Sequence, residues 1–242
     1  MVWIKPKSYS KSKVDWAGSV LASETNSQNE RDEALEVLDN WRAIHRYPLH
    51  IFKKRLKEVA EKMNKGALVV QRLKRLPSIV KKLQRRYNGN EPTMKLSQMQ
   101  DIAGCRVVMP NAELARKLYK EGYIRGDLKH KKVNEKDYAN RPKSDGYRSI
   151  HLIYRYRSDK DGKKDYNGLL VEVQIRSKLQ HLWATAIETV DFFTRQAIKS
   201  NEGQKEWVDF FKLVSSAFAI MENTPIVPNT LTDEKELYSQ IK

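Results

Sequence analysis

The run Leu169-Leu170-Val171-Glu172-Val173-Gln174-Ile175-Arg176 decides the fold. Val171, Val173 and Ile175 alternate with Glu172, Gln174 and Arg176, and alternation at period two marks a strand with one apolar and one polar face. Most solvated strand faces carry Thr, Ser or Lys. An acid, an amide and a guanidinium in succession are instead a set of groups that suits an anionic ligand and a metal. Taken alone, the run reads first as an edge strand with its polar side in water, so the flanking sequence has to decide.

Working outward, Ser149 to Arg157 alternates again, with Ile150, Leu152, Tyr154 and Tyr156 against His151, Ile153, Arg155 and Arg157. The turn Asp159-Lys160-Asp161-Gly162-Lys163-Lys164 joins the two runs, which predicts an antiparallel pair. Ahead of them lies a Pro-, Ser-, Asp- and Gly-bearing loop, residues 141–149, and Tyr123 to Tyr138 holds room for a further strand. Ile102 to Met109 is short, apolar and rich in Val, a buried strand. Pro110 stops it and Asn111 caps a helix whose core face is Leu114, Ala115, Leu118 and Tyr119, with Gly122 as its C′ residue. Downstream, Ser177 caps a helix marked by Leu179, Leu182, Trp183, Ala186, Ile187 and Val190. Trp207, Phe210, Phe211, Val214, Phe218 and Met221 mark the next. Residues 223–229 form a linker, and a loosely attached helix ends the chain. The predicted class is α+β, a small sheet over 101–176 with helices before and after it.

Residues 1–28 read as a polar arm with at most one short helix. Glu30 to Trp41 is helical, Pro48 breaks it, and Leu49, Phe52, Leu56, Val59, Ala60 and Met63 stripe a second helix. The opposite face of that helix is Lys53, Lys54, Arg55, Lys57 and Lys62. Residues 46–90 carry fourteen Lys and Arg against two acids, most of the excess in a chain whose formal charge is +16. Solubility needs a net charge of only about 2–8 in a small domain. The surplus therefore points to a polyanion: RNA, DNA or nucleotide phosphates. The basic stretch is a phosphate-tracking face or a solvated helix face.

Other classes drop out. No apolar run reaches the length of a membrane span, and the N-terminus lacks the apolar core of a signal peptide. The single Cys105 cannot form an internal disulfide and reads as a buried small hydrophobe; a cytoplasmic protein is expected. There is no Gly-x-x-x-x-Gly-Lys loop, no Gly-x-Gly-x-x-Gly, no zinc spacing and no His-Asp pair. Asp101 precedes the Ile102–Met109 strand and Arg106 lies in it. Five residues apart, they fall on opposite faces of a regular strand, so Asp101 lies outside the strand or Gly104 marks a bulge. Asp101 and Glu172, on neighbouring strands, form a candidate Mg²⁺ pair, because that ion takes one or two carboxylates plus phosphate oxygens. Arg72 to Ile79, continuing to Lys81 and Lys82, is the segment aimed at phosphates. Tyr147 either stacks on a base or packs its own loop. His151 and His181 lie near this site; His45, His50 and His130 read as structural or exposed.

Five blocks in this order carry a resemblance: Arg72-x-Lys74-x-x-x-Ser78-Ile79, Asp101-Ile102-Ala103-Gly104-Cys105-Arg106, Lys143-x-x-Gly146-Tyr147-Arg148-Ser149-x-His151, Val171-Glu172-Val173-Gln174-Ile175-Arg176 and Trp183-Ala184. Together, over roughly residues 65–195, they resemble the synthetase domain of RelA/SpoT proteins, in its small, single-domain alarmone-synthetase form. The resemblance implies a nucleotidyltransferase-like mixed sheet flanked by helices, and transfer of the β,γ-pyrophosphate of ATP to a 3′-hydroxyl. Position by position, it implies adenine between Arg72 and Arg106, and ATP phosphates on Lys74, Arg75 and Lys82. It places Mg²⁺ on Asp101 and Glu172, with Glu172 also helping to deprotonate the acceptor. Tyr147 would stack on the acceptor base, with Arg148 and His151 near its phosphates and Gln174 and Arg176 as the floor.

Two departures stand out. The tryptophan block usually continues to a Glu-His pair, whereas here Glu188 comes one residue later and no histidine follows. The protein is also expected to lack the family's His-Asp hydrolase and regulatory domains, which resembles a divergent branch whose toxic members modify the 3′ end of tRNA and are held by an antitoxin protein. The expected division is a basic helical region at 1–64, the synthetase domain at 65–222, and a linker and terminal helix at 223–242. The basic surplus, with Lys53, Lys54 and Arg55 as RNA contacts, favours tRNA as acceptor. GTP or GDP, giving (p)ppGpp, is the alternative, an adenine nucleotide the third, and a non-catalytic RNA-binding protein the reading outside enzymology.

Overall fold

The computed structural model describes residues 3, 9–23, 25–86, 92–126, 128–194 and 204–241. Its sheet has five strands: β1 (Leu68–Leu73), β2 (Ala103–Met109), β3 (Lys131–Asp137), β4 (Ile150–Arg155) and β5 (Leu170–Ser177). They lie side by side in the order β1-β2-β5-β4-β3. The Val171–Arg176 run is thus in the central strand, and the edge-strand reading fails. β2 and β5 are parallel and the other neighbouring pairs antiparallel, so the sheet is mixed.

Sequence alternation divides the sheet into two chemically distinct faces. Ala103, Cys105, Val107 and Met109 of β2, Ile150, Leu152 and Tyr154 of β4, and Val171, Val173 and Ile175 of β5 share one buried core. Helix α3 (Arg46–Met63) closes that face with Leu49, Phe52, Leu56, Val59 and Ala60. The other face carries Arg72, Arg106, Glu172, Gln174, Arg176 and His151, and stays open as a cleft. Because α3 belongs to the core of the sheet, the packing has no break at residue 64.

The N-terminal region differs from the polar arm expected of it. Helix α1 (Lys11–Ala22), capped by the Ser10 side chain, buries Val14, Ala17, Val20 and Leu21. These pack with helix α2 (Gln28–Ile44), helix α4 (Leu76–Leu83), and Leu96, Met99 and Ile102. Asp15 fixes α1 to the turn at Leu96–Gln98 by accepting from the amide and hydroxyl of Ser97, at 2.8 and 3.0 Å. The apolar stripe is only four small or branched residues wide in a polar context, which hides it in sequence. Pro48 does not break a helix either: it sits in the first turn of α3, where no intrahelical donor is needed.

Asn111 caps helix α5 (Ala112–Leu118) as expected, accepting from the Leu114 amide at 2.9 Å. Gly122 is not its C′ residue; it lies within a π-helical continuation (Tyr119–Ile124). A Cβ there would stand 2.6 Å from Val59, so glycine lets this turn approach α3. Helix α6 (Lys178–Thr194) and helix α7 (Lys205–Met221) pack on each other and on Tyr147 through Trp183, Ala184, Ile187, Val208 and Phe211. Leu182, expected in that core, is exposed instead. Helix α8 (Glu234–Ile241) is anchored on α7 by the buried Leu237.

Candidate active site

Register lines up the site. Arg106 of β2, Gln174 of β5 and His151 of β4 form one row across the sheet, and Gly104, Glu172 and Ile153 the next. Asp101 lies two residues before β2, in a turn, and the pairing of β2 runs without a bulge. That settles the five-residue spacing: Asp101 lies outside the strand. Lys74 leaves the end of β1 with its amide on the Ile102 carbonyl (2.8 Å) and its own carbonyl held by Arg42 Nε (2.8 Å). Lys82 comes from the last turn of α4, whose Ile79 and Leu83 are buried beneath it.

These residues surround a cleft of about 390 Å³. A hollow of similar size, about 370 Å³, lies between the α2–α3 joint and β1, but its lining of Trp3, Tyr47, His50, Tyr166 and others includes no carboxylate. The cleft is where Asp101 and Glu172 lie together with a cluster of arginines and lysines. Lys74 Nζ and Lys82 Nζ bind the two oxygens of Asp101 at 3.0 and 2.8 Å. Burial acts to raise the Asp101 carboxyl, and Lys82 and Lys74 outweigh it, leaving its pKa below the ordinary value. Glu172 follows the same pattern. Burial opposes its ionisation, but His151 Nδ1 at 2.7 Å and Gln174 Nε2 at 2.8 Å bring its pKa below the ordinary value.

A directed chain of hydrogen bonds ends at Glu172. Arg176 can only donate, and its Nη2 reaches the Tyr147 hydroxyl at 2.7 Å. That hydroxyl donates to His151 Nε2, also at 2.7 Å, and His151 Nδ1–H donates to Glu172. Gln174 uses both ends of its amide: its oxygen accepts from Arg106 Nε and Arg176 Nη2, each at 3.1 Å, while its nitrogen holds Glu172. Burial, then the neighbouring Arg176 and Arg72, pulls the Arg106 guanidinium down to about 10. Cations this crowded favour an anion between them.

The cleft gathers Arg72, Lys74, Lys82, Asp101, Arg106, Tyr147, His151, Glu172, Gln174 and Arg176, ten of the residues singled out in sequence. The others lie elsewhere. Arg75 is exposed at the start of α4 and does not line the cleft. Arg148 is 3 % exposed and points away from the cleft: its Nε donates to Ser215 Oγ at 3.0 Å, and an Nη2 bond reaches the Pro225 carbonyl. It fastens α7 to the loop, because Tyr147 and Arg148, adjacent in an extended segment, point to opposite sides. Lys53, Lys54 and Arg55 ride on α3, behind the sheet.

Tyr147 lies in the cleft wall rather than across its mouth. The residue is 7 % exposed, its ring edge-on to Tyr138, His151 and Trp183, so it presents no open face to a base. Gly146 makes this placement possible, with φ +91° and room for a Cβ only 3.0 Å from Trp183. Residues missed in sequence also line the cleft: Arg85, Gln100, Lys136, Tyr138 and Asp145. Tyr138 and Lys136 follow from the alternation of β3 once its pairing with β4 is known; Arg85 and Gln100 carry no local signal. Glu188, the displaced acid of the tryptophan block, stands at the rim.

Among the described residues, no group of three or more His, Cys, Asp and Glu side chains is placed to hold a metal. A pair of carboxylates, one on each of two adjacent chain segments, suits Mg²⁺ with phosphate oxygens completing its shell, and not zinc. None of the described helices is long and apolar enough to cross a membrane.

A mixed sheet with one helix-covered face and one open, cation-lined face is an α+β architecture whose open side suits an anionic ligand. The family model described as "Region found in RelA / SpoT proteins" matches residues 71–192, half of the chain, and the chain belongs to that family. Two GTP pyrophosphokinases of Bacillus subtilis (strain 168) are similar in sequence. YjbM is 31 % identical over 125 residues, 51 % of this chain and 56 % of its own length. YwaC is 34 % identical over 116 residues, 47 % and 52 % respectively. The chain thus spans about half the length of the curated relatives it matches. In fold it is similar to the small alarmone synthetase 2 from Bacillus subtilis (TM-score 0.61, 22 % identity, 76 % of this chain and 94 % of that one). It is also similar to the small alarmone synthetase 1 bound to its product pppGpp (TM-score 0.59, 23 %, 74 % and 89 %).

Proposed function

We propose that the protein is an ATP-dependent pyrophosphokinase acting on the 3′-hydroxyl of a guanine nucleotide. The observation that carries this reading is the pairing of Glu172 with Asp101 in one cleft that also gathers the cations Arg72, Lys74, Lys82, Arg106 and Arg176. A pyrophosphate in transit carries several negative charges, and its transfer is mainly a matter of positioning and neutralising them. Arg72 and Arg106 flank the donor base, and Lys74 and Lys82 take the triphosphate. The acceptor 3′-oxygen forms a bond to the β-phosphorus, the bond from that phosphorus to the bridging oxygen breaks, and AMP leaves with that oxygen. Glu172, aligned by His151 and Gln174, accepts the proton of the hydroxyl. Mg²⁺ on Asp101 and Glu172 would supply charge neutralisation to the phosphates. Tyr138, half-buried at the cleft beside Lys143 Nζ (5.0 Å from its ring), offers the acceptor base a surface that Tyr147 does not.

The tRNA end rested on the basic surplus, and part of that surplus lies behind the sheet on α3. Another part, Arg72, Lys74, Lys82 and Arg85, lines the cleft, where nucleotide phosphates would use it. The nearest support for the guanine acceptor is the similarity to GTP pyrophosphokinases. Incubation with ATP labelled at the γ-phosphate, offering GDP, GTP, ATP and deacylated tRNA in parallel, tests the choice. Label in the guanine nucleotides is expected. Label confined to tRNA would restore the RNA acceptor and with it the toxin and antitoxin reading, and no transfer to any of them would remove the enzyme.

A further inference from the structure

Every carboxylate oxygen of the candidate metal pair is already engaged by a donor of the protein itself. Asp101 Oδ2 faces Lys74 Nζ at 3.0 Å and Oδ1 faces Lys82 Nζ at 2.8 Å. Glu172 Oε1 faces His151 Nδ1 at 2.7 Å and Oε2 faces Gln174 Nε2 at 2.8 Å. The two engagements differ in kind. His151 and Gln174 are held in turn by Tyr147, Arg176 and Arg106, so they orient Glu172 rigidly. Lys74 and Lys82 end in freely turning ammonium groups, partly exposed at the cleft, and within the described contacts Asp101 is their only anion. A divalent cation approaching Asp101 meets two positive charges and finds both oxygens occupied. The phosphates of a nucleotide are stronger acceptors for the same ammoniums, carrying more charge on more oxygens.

We propose that Lys74 and Lys82 are gate residues: they close Asp101 to a divalent cation until nucleotide phosphates draw them away, so that metal and nucleotide enter together. This deepens the pyrophosphokinase reading and rests on it for the identity of the nucleotide, though the lysine contacts exist without it. The gate orders events usefully. In the resting cleft the lysines neutralise Asp101; in the loaded one they neutralise phosphate, and the carboxylate is released to the metal at that moment. Linkage makes the effect reciprocal, so each ligand tightens the other by the same factor, and ordinary coupling lies at about 5–150-fold.

The test is Mn²⁺ binding followed by the loss of the free-ion electron paramagnetic resonance signal, on the full chain. Wild type should bind Mn²⁺ weakly alone and at least about tenfold more tightly with a non-hydrolysable ATP analogue. Lys82→Met, which removes a cleft cation, should bind Mn²⁺ alone about tenfold more tightly than wild type and show less gain from the analogue. Lys82→Arg keeps the charge and should keep the gate closed. Asp101→Asn in the Lys82→Met background should abolish the gain, placing the ion at Asp101. Equal Mn²⁺ affinity in wild type and Lys82→Met, or tighter binding that survives Asp101→Asn, would overturn the gate. The pyrophosphokinase reading fails separately, by absence of labelled product from wild type, and the Mn²⁺ measurement is unaffected by that outcome.

Discussion

Two groups of cations, some twenty residues apart in sequence, look alike there and are opposite in the fold. Lys53, Lys54 and Arg55 belong to α3; Lys74 precedes α4 and Lys82 lies in its last turn. Each group interleaves with an apolar stripe. The stripe of α3 packs on the back of the sheet, against Cys105, Val107 and Val173, so its charges look out from the side without a cleft. The stripe of α4 is only Ile79 and Leu83, held against α1 and Leu96, and this leaves Lys82 over the open face. A helix can bury only one side, so which sheet face it covers decides where its charges go. Charge density in a sequence shows that an anion is favoured; the partner of the apolar stripe shows where.

The largest effect should come from the cleft itself. Glu172→Gln keeps the size of the side chain and one acceptor oxygen for His151, but it turns an amide donor toward Gln174 Nε2 and loses the charge and the proton acceptor. Transfer is expected to fall by about a thousandfold, within the span of general-base and metal contributions, with nucleotide affinity changed far less. Retention of more than a tenth of the activity would show that the open face is not where the chemistry occurs, and the contrast between faces would lose its meaning.

Arg148 sharpens the comparison because it belongs to neither group. It is a buried cation that links Gly146, Ser215 and Pro225, with Ser215 Oγ donating to the Gly146 carbonyl at 2.6 Å. Arg148→Ala leaves those neutral groups unmatched and opens a void, a loss of about 3 kcal/mol in unfolding free energy from unsatisfied polar groups and cavity together. Denaturant unfolding measures it. Arg148→Lys should recover little, since one ammonium cannot span both partners. A variant as stable as wild type but unable to bind acceptor would return Arg148 to the cleft.

This residue also marks the limit of what could be read in sequence. The period-two runs at 150–155 and 170–177 and the apolar run at 103–109 were legible because alternation is a local property. The sheet's fourth and fifth members were less so: β1 is short, lies at the edge and is embedded in cations, and the polar β3 shows its face only through pairing with β4. In the site, the residues on strands could be placed by register, and all of those lie in the cleft. Apart from Arg75, which the start of α4 carries outside the cleft, the misplacements are Arg148 and the ring of Tyr147, adjacent in a loop. There the direction of a side chain is set by long-range partners, α7 for one and His151 with Arg176 for the other. The Asp101–Lys82 contact likewise has no sequence signature, since it depends on the angle at which α4 leaves β1.

The back of the sheet makes its own prediction through His45, buried at the joint of α2 and α3 with Nδ1 donating to the Trp41 carbonyl. Burial lowers its pKa to about 4 from an ordinary 6.5, the bond to Trp41 opposing only in part. The folded state therefore resists a proton that the unfolded chain accepts. Stability is intact above pH 6.5 and falls as pH drops towards 4, by about 3 kcal/mol from this group. His45→Gln should flatten that part of the stability-versus-pH curve while leaving transfer at neutral pH unchanged. Parallel curves for the two proteins would show that the joint is wetter than the fold implies.

The smallest effect is the most direct attempt to break the contrast. Lys53→Ala, Lys54→Ala and Arg55→Ala combined remove three charges from α3 without touching its buried stripe. Transfer to GDP should change by less than about twofold, since the cations lie behind the sheet and salt at physiological strength screens charges beyond about 8 Å. RNA affinity, measured over a series of salt concentrations, supplies the second arm. If α3 tracks phosphates, the triple variant should flatten the logarithmic salt dependence by about two to three units, at 0.7–0.9 per lost contact. An unchanged slope makes this face a solvated surface. A tenfold loss of transfer to GDP would mean that α3 influences the cleft through the sheet, and that the two faces are not independent.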